Sequence, residues 1–166
     1  MARILIALAI ALCMTSLATA QTTWRGLRFG MTEAEARIAL NAVRQPSKGG
    51  DKPKEPGVSV IVQIETIPGI AILSFDAKTK GLCRIFIQLD PKDLSSDIDK
   101  RVSESAIITS LENKYGEPFR TVDNPLTRRI TWRPKDQVIV YDAIMLDGLP
   151  LLITISYEPL SAIKDL

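Results

Sequence analysis

Six stretches of this chain read as β-strands and only two as helices, a ratio that restricts the fold to a sheet with helical cover on part of its surface. Val58, Val60, Val62 and Ile64 alternate with Ser59, Ile61, Gln63 and Glu65. Ile67-Pro68-Gly69 reads as a turn into Ile70 to Phe75, and Asp76 to Gly81 as the next turn. In Leu82 through Leu89, Cys83, Ile85, Ile87 and Leu89 share one face and Leu82, Arg84, Phe86 and Gln88 the other. Thr127 to Arg133, Gln137 to Leu146 and Leu149 to Tyr157 follow, the last two joined by Asp147-Gly148, whose backbone preferences suit a two-residue hairpin.

The helices are bounded by strong local signals. Trp24 to Val43 converts an aromatic lead-in into a helix whose start is set at Thr32, where the Thr32 hydroxyl and the Glu35 carboxylate are spaced for a reciprocal capping box. Ala36, Ala39, Leu40 and Val43 then recur at helical spacing, and Glu33 and Arg37 pair across one turn on another face. A second helix starts between Ser95 and Ser103, runs through Ile107, Ile108 and Leu111 to Tyr115, and stops at Gly116 with Pro118 just beyond. Between the first helix and the first strand, Gln45 to Gly57 reads as a solvated loop rich in proline, glycine and charge.

The element order predicts an α+β fold of tandem helix-plus-three-strand repeats, residues 21–90 and 91–166, sharing one core in one compact domain. The expected arrangement is a largely antiparallel six-stranded sheet with both helices on one face. Two separate small sheets is the alternative.

Residues 1–20 have a positive start at Arg3, an apolar run from Ile4 to Met14 and Ala18-Thr19-Ala20 before Gln21, the pattern of a secretory signal peptide. The run is shorter than a bilayer span, which needs about 20 residues, and Leu12 rather than a small residue precedes Cys13, so an exported, periplasmic or secreted protein without a lipid anchor or stable membrane insertion is expected. The leader takes away one basic residue and no acid from a chain whose net charge is +2, leaving no strongly basic footprint for nucleic acid. It also takes Cys13, leaving Cys83 alone and no intramolecular disulfide. The chain has no histidine, which removes the usual imidazole base and the commonest zinc ligand.

Gly30-Met31-Thr32 followed by Glu33, Glu35 and Ala36 resembles the opening of the helical segment in the small lipoprotein subunit of the outer-membrane β-barrel assembly machine. Tyr115-Gly116-Glu117-Pro118 resembles the Gly-x-Pro that closes such helices, and the duplicated layout resembles the tandem repeats of β-lactamase-inhibitor proteins. Here the opening and closing motifs fall in different halves, and the lipid-accepting cysteine is missing. The resemblance implies an envelope protein that works by binding other proteins and implies no catalytic residues.

The residues themselves nominate no catalytic group, cofactor or metal site. Cys83 has no histidine to activate it and apolar neighbours, so core packing is expected. Glu33 and Glu35 serve the cap and a helical ion pair, and Asp97 and Asp99 a polar helix approach. Arg128, Arg129 and Arg133, near Arg120 and Lys135, form the densest basic group, and alternation places Arg129 and Arg133 opposite Ile130 and Trp132. Trp24 and Phe29 serve either as partner anchors or, as expected, to pin the N-terminal segment on its own sheet.

Ile61, Ile70, Ile72, Leu82, Phe86, Ile139, Tyr141 and Met145 lie across from equally apolar neighbours, so both sheet faces read as apolar and two helices cannot cover both. The expectation is a non-enzymatic binding or adaptor module engaging another envelope protein or a second copy, with Phe86, Arg129, Arg133 and Trp24 as candidate partner-binding residues. A hydrolase using carboxylates brought together by the fold, or a purely structural dimer, is the alternative. Of the two faces of the third strand, the Ile85 set is expected under the helices, leaving Phe86 on the other side.

Overall fold

A computed structural model describes residues 23–41 and 58–162. The leader expected at residues 1–20 and the loop expected at 45–57 lie outside the described residues. The elements are α1 (Glu33–Asn41), β1 (Val58–Ile64), β2 (Ile67–Phe75), β3 (Leu82–Leu89), α2 (Asp97–Tyr115), β4 (Arg120–Asp123), β5 (Thr127–Trp132), β6 (Gln137–Leu146) and β7 (Leu149–Pro159). All the strands form one antiparallel sheet in the order β1-β2-β3-β7-β6-β5-β4. The last strand of the chain therefore sits at the centre, hydrogen-bonded to β3 on one side and β6 on the other.

The capping box at Thr32 and the stop at Gly116 both hold. Thr32 N–H donates to Glu35 Oε2 at 2.8 Å and Glu35 N–H returns a bond to Thr32 Oγ1 at 3.3 Å, and the Glu33–Arg37 ion pair closes at 2.7 Å. Ser96 caps α2 by accepting from Asp99 N–H at 3.1 Å. Gly116 ends it at φ 81°, a backbone state that costs a glycine nothing.

The sheet has seven strands where six are expected, because β4 is a four-residue edge strand, Arg-Thr-Val-Asp, with no apolar alternation to announce it. The turn placed at Ile67-Pro68-Gly69 is also corrected. The chain reverses at Glu65 and Thr66, with Glu65 at φ 52°, and Pro68 and Gly69 lie inside β2. Proline is tolerated there because β3 ends at Leu89, opposite Gly69, and the Pro68 carbonyl still accepts from Asp90 N–H at 3.0 Å. Gly69 is required by close approach, since a Cβ there would stand 2.2 Å from the Gln88 carbonyl oxygen.

One face of the sheet carries the core. Val58 and Val62, Ala71 and Leu73, Ile85, Ile87 and Leu89, Ile153, Ile155 and Tyr157, and Ile139 and Tyr141 are buried in register across the strands, and Ala36 and Leu40 of α1 and Ile107 and Leu111 of α2 join the same cluster. The Ile85 side of β3 is the helix-covered side, as expected. Cys83 and Leu82 depart from that alternation. Between Ser74–Arg84 and Phe75–Leu82 the pairing gains one residue on β3, so Cys83 is extra, Leu82 turns into the core and Cys83 is left half-buried. Ile139, Tyr141 and Met145 likewise belong to the core, and Val138, Val140 and Ile144 hold the opposite face.

Candidate functional site

No helix covers the other face of the sheet among the described residues, and its side chains form continuous cross-strand rows. One row runs Ser59, Ile72, Phe86, Ser156, Val140, Thr131, Arg120 from edge to edge, and the next runs Ile61, Ile70, Gln88, Thr154, Asp142, Arg129, Val122. The rows divide by chemistry. On β1 to β3 the face carries an apolar group, with Ile61 60% and Ile70 48% exposed and Ile72 and Phe86 half-buried beside them, bordered by Ser59, Gln63 and Gln88. On β4 to β6 it is a groove floored by Val138, Val140 and Thr131 and walled by Arg120, Arg129 and Arg133.

The groove charges are unequally paired. Arg129 forms a fork with Asp142, Nε to Oδ1 at 2.5 Å and Nη2 to Oδ2 at 3.1 Å, and this carboxylate raises the arginine pKa. Arg84 reaches Glu158 at 2.9 Å and lies over the Phe86 ring. Both pairs are substantially exposed, so each stabilises the fold by less than about 1 kcal/mol and serves mainly to orient its arginine. Arg133 stacks on the Phe119 ring at 4.0 Å, with its buried Nε meeting no acceptor, and neither Arg120 nor Arg133 meets a carboxylate among the described residues.

The other ionised cluster is structural. Glu104 of α2 is 4% exposed and accepts from Arg128 Nη1 and from the Tyr141 hydroxyl, both at 3.0 Å, while Arg128 also holds Asp123. Arg128 lies on the helix side of β5, and its charge is consumed between two acids. Cys83 Sγ donates to the Ser74 carbonyl at 3.4 Å, and burial, then the Asp76 charge, push its thiol pKa up, the opposite of what a nucleophile needs. Among the described residues no group of three or more His, Cys, Asp or Glu side chains is placed to hold a metal ion, and no helix is long and apolar enough to cross a membrane.

Of the four residues singled out in the sequence, the fold brings Phe86, Arg129 and Arg133 onto the bare face and keeps Trp24 away from it. Trp24 is 8% exposed in the core. The Lys114 ammonium and the Tyr115 hydroxyl both donate to the Thr23 carbonyl, at 3.0 and 2.8 Å, and clamp the segment that carries it. Trp132 is also core, its indole N–H donating to the Gly116 carbonyl at 3.0 Å. Arg84, Phe119, Asp142 and Glu158 complete the face without having been singled out. Asp142 is set opposite Arg129 by the register of β5 and β6, which pairs Trp132 with Ile139 rather than with the first residue of β6.

Fold and face together define an α+β protein with two helices, a seven-stranded antiparallel sheet and one sheet face left bare among the described residues. Compared with family models, curated proteins and solved structures, the chain matches none.

Proposed function

We propose that this chain is an exported, non-enzymatic binding or adaptor module that holds an acidic segment of a protein partner on its bare sheet face. The observation that carries this reading is the surplus of cation in the groove: Asp142 and Glu158 are taken by Arg129 and Arg84, and Arg120 and Arg133 are left with no carboxylate among the described residues. A protein segment supplies both carboxylates for these arginines and apolar side chains for the Ile61, Ile70, Ile72 and Phe86 side. A nucleic acid supplies phosphates for the arginines but no apolar side chains for the other half. The leader pattern at residues 1–20 supports export, and the meeting of the two groups of strands through their last members, β3 and β7, supports a duplicated helix-plus-strands unit. The hydrolase alternative has less behind it, because each acid of the groove is already held by an arginine.

The test is site-specific photo-crosslinking in the native host from a reactive residue in place of Thr131. Capture of an envelope protein through an acidic segment is expected, lost in the Arg120→Glu/Arg133→Glu variant and restored by reversing the charges of the captured segment. Capture that ignores both charge reversals overturns the reading.

A further inference from the structure

The two edges of the sheet are built differently. β4 has only four residues and carries a charge at each end, Arg120 and Asp123, and shortness and charge are devices that discourage another strand from adding. β1 has none of them. It is seven residues long, Val-Ser-Val-Ile-Val-Gln-Ile, with no charge and no proline.

The direction of its free backbone groups follows from one contact. Arg25, with φ 47° and its guanidinium over the Trp24 ring, donates from Nη2 to the Gln63 carbonyl at 3.2 Å. That carbonyl therefore points away from β2. In an antiparallel ladder the N–H and C=O of one residue point the same way and alternate residues share a direction, so Ile61 and Ser59 also present their backbone outward. Among the described residues nothing bonds to them. Arg25 caps one end of the edge and, among the described residues, leaves Ser59 and Ile61 open.

We propose that this edge pairs with the same edge of a second copy, antiparallel about a two-fold axis through Val60. The register uses what is open and spares what is capped. Ser59 of each copy exchanges N–H to O=C bonds with Ile61 of the other, Val60 faces its own copy, and Val58 faces Val62. Gln63 keeps its bond to Arg25. A two-fold seam brings each charge on the edge near its own image, directly across at Val60 and diagonally at Ser59 and Ile61, and β1 carries no charge to repel a second copy.

Both sides of the seam gain cover. On the bare face, the 60% exposed Ile61 packs against Ser59 of the other copy and diagonally against its Ile61, and the apolar halves of the two bare faces become neighbours. On the helix side, the half-buried Val60 meets its counterpart as a non-hydrogen-bonded pair with Cα atoms about 4.5 Å apart. This pairing is independent of what the arginine groove holds.

The experiment is sedimentation equilibrium on the exported chain, with Ile61→Lys as the disrupting variant and its circular dichroism and melting temperature as the folding control. A dimer is expected, converted to monomer by Ile61→Lys with the fold intact. Register is read in a Cys83→Ser background: Val60→Cys should oxidise to a disulfide-linked dimer, whereas Ser59→Cys, which faces Ile61 of the other copy, should not. A chain that remains monomeric at its highest soluble concentration, a dimer that survives Ile61→Lys, or efficient crosslinking by Ser59→Cys and not by Val60→Cys each overturns the proposal.

Discussion

The Tyr141 hydroxyl, rising from the centre of β6, donates to Glu104 Oε1 on α2 at 3.0 Å, deep between helix and sheet. The same oxygen accepts from Arg128, so one carboxylate fixes the roll of α2 over β5 and β6. Removing it leaves the buried Tyr141 phenol without its acceptor and Arg128 with Asp123 as its one remaining acid among the described residues. Glu104→Ala should lower the unfolding free energy by about 3 kcal/mol, and Tyr141→Phe, which deletes one donor, by about 1 kcal/mol. Urea denaturation of both variants measures the two values.

Three phenols resist ionisation in the fold. Burial pushes the Tyr115 pKa up to about 12, and burial raises Tyr157 and Tyr141 as well, Tyr157 aided by neighbouring Tyr115 and Tyr141 by the charge of Glu104. A pKa raised in the folded state means that losing the proton favours the unfolded chain. Stability from these groups is intact below their ordinary value of 10.0 and falls as pH rises toward 12 and beyond. Tyrosinate absorbance should rise together with loss of β-sheet circular dichroism above that ordinary value, rather than before it.

The start of α1 rests on one reciprocal pair of bonds. Thr32→Ala should destabilise the fold by about 1 kcal/mol, while Thr32→Ser, which keeps the hydroxyl, should be tolerated. No change in the denaturation midpoint of the alanine variant would move the start of the helix elsewhere.

The two faces of β3 should answer differently to the same substitution. Ile85 is fully buried, and Ile85→Ser, which leaves a void lined by an unpaired hydroxyl, should cost about 4 kcal/mol or prevent folding. Phe86→Ser, on the bare face, should cost clearly less. Gly69→Ala, whose added methyl would collide with the β3 backbone, should cost about 2 kcal/mol although it adds a single carbon. Melting temperatures of the three variants rank them.

The signal-peptide pattern at residues 1–20 predicts a mature chain beginning at Gln21. Intact-mass measurement of the exported protein checks it.

What the sequence made legible was local chemistry with a fixed spacing. Thr32 with Glu35 gave the start of α1, Gly116 with Pro118 the end of α2, and Asp147-Gly148 the hairpin before β7, where both residues take positive φ as such a turn requires. Alternation also put Arg129 and Arg133 opposite Trp132. It failed where a single residue breaks the period. Cys83 is a bulge, invisible in a string of apolar residues, and it exchanges the places of Leu82 and Cys83. Pro68 and Gly69 read as a turn because their chemistry permits one, whereas here it serves the end of a strand and the approach of a neighbour. Glu104 fell on the apolar stripe of α2, three residues before Ile107, and that placement was the signal for a buried acid. The groove depends on pairings between strands far apart in sequence, such as Arg84 with Glu158, which no local pattern encodes.

The position of β7 at the centre of the sheet sets the timetable of folding. A chain that emerges from its N-terminus presents β1, β2 and β3 first, and β3 then has a bare edge of its own. That edge waits for the last strand to be delivered, because β7 is both its neighbour and the neighbour of β6. Closure is therefore a late, long-range event, slow beside the making of the hairpins, and through that interval β3 is open to pairing with the wrong strand.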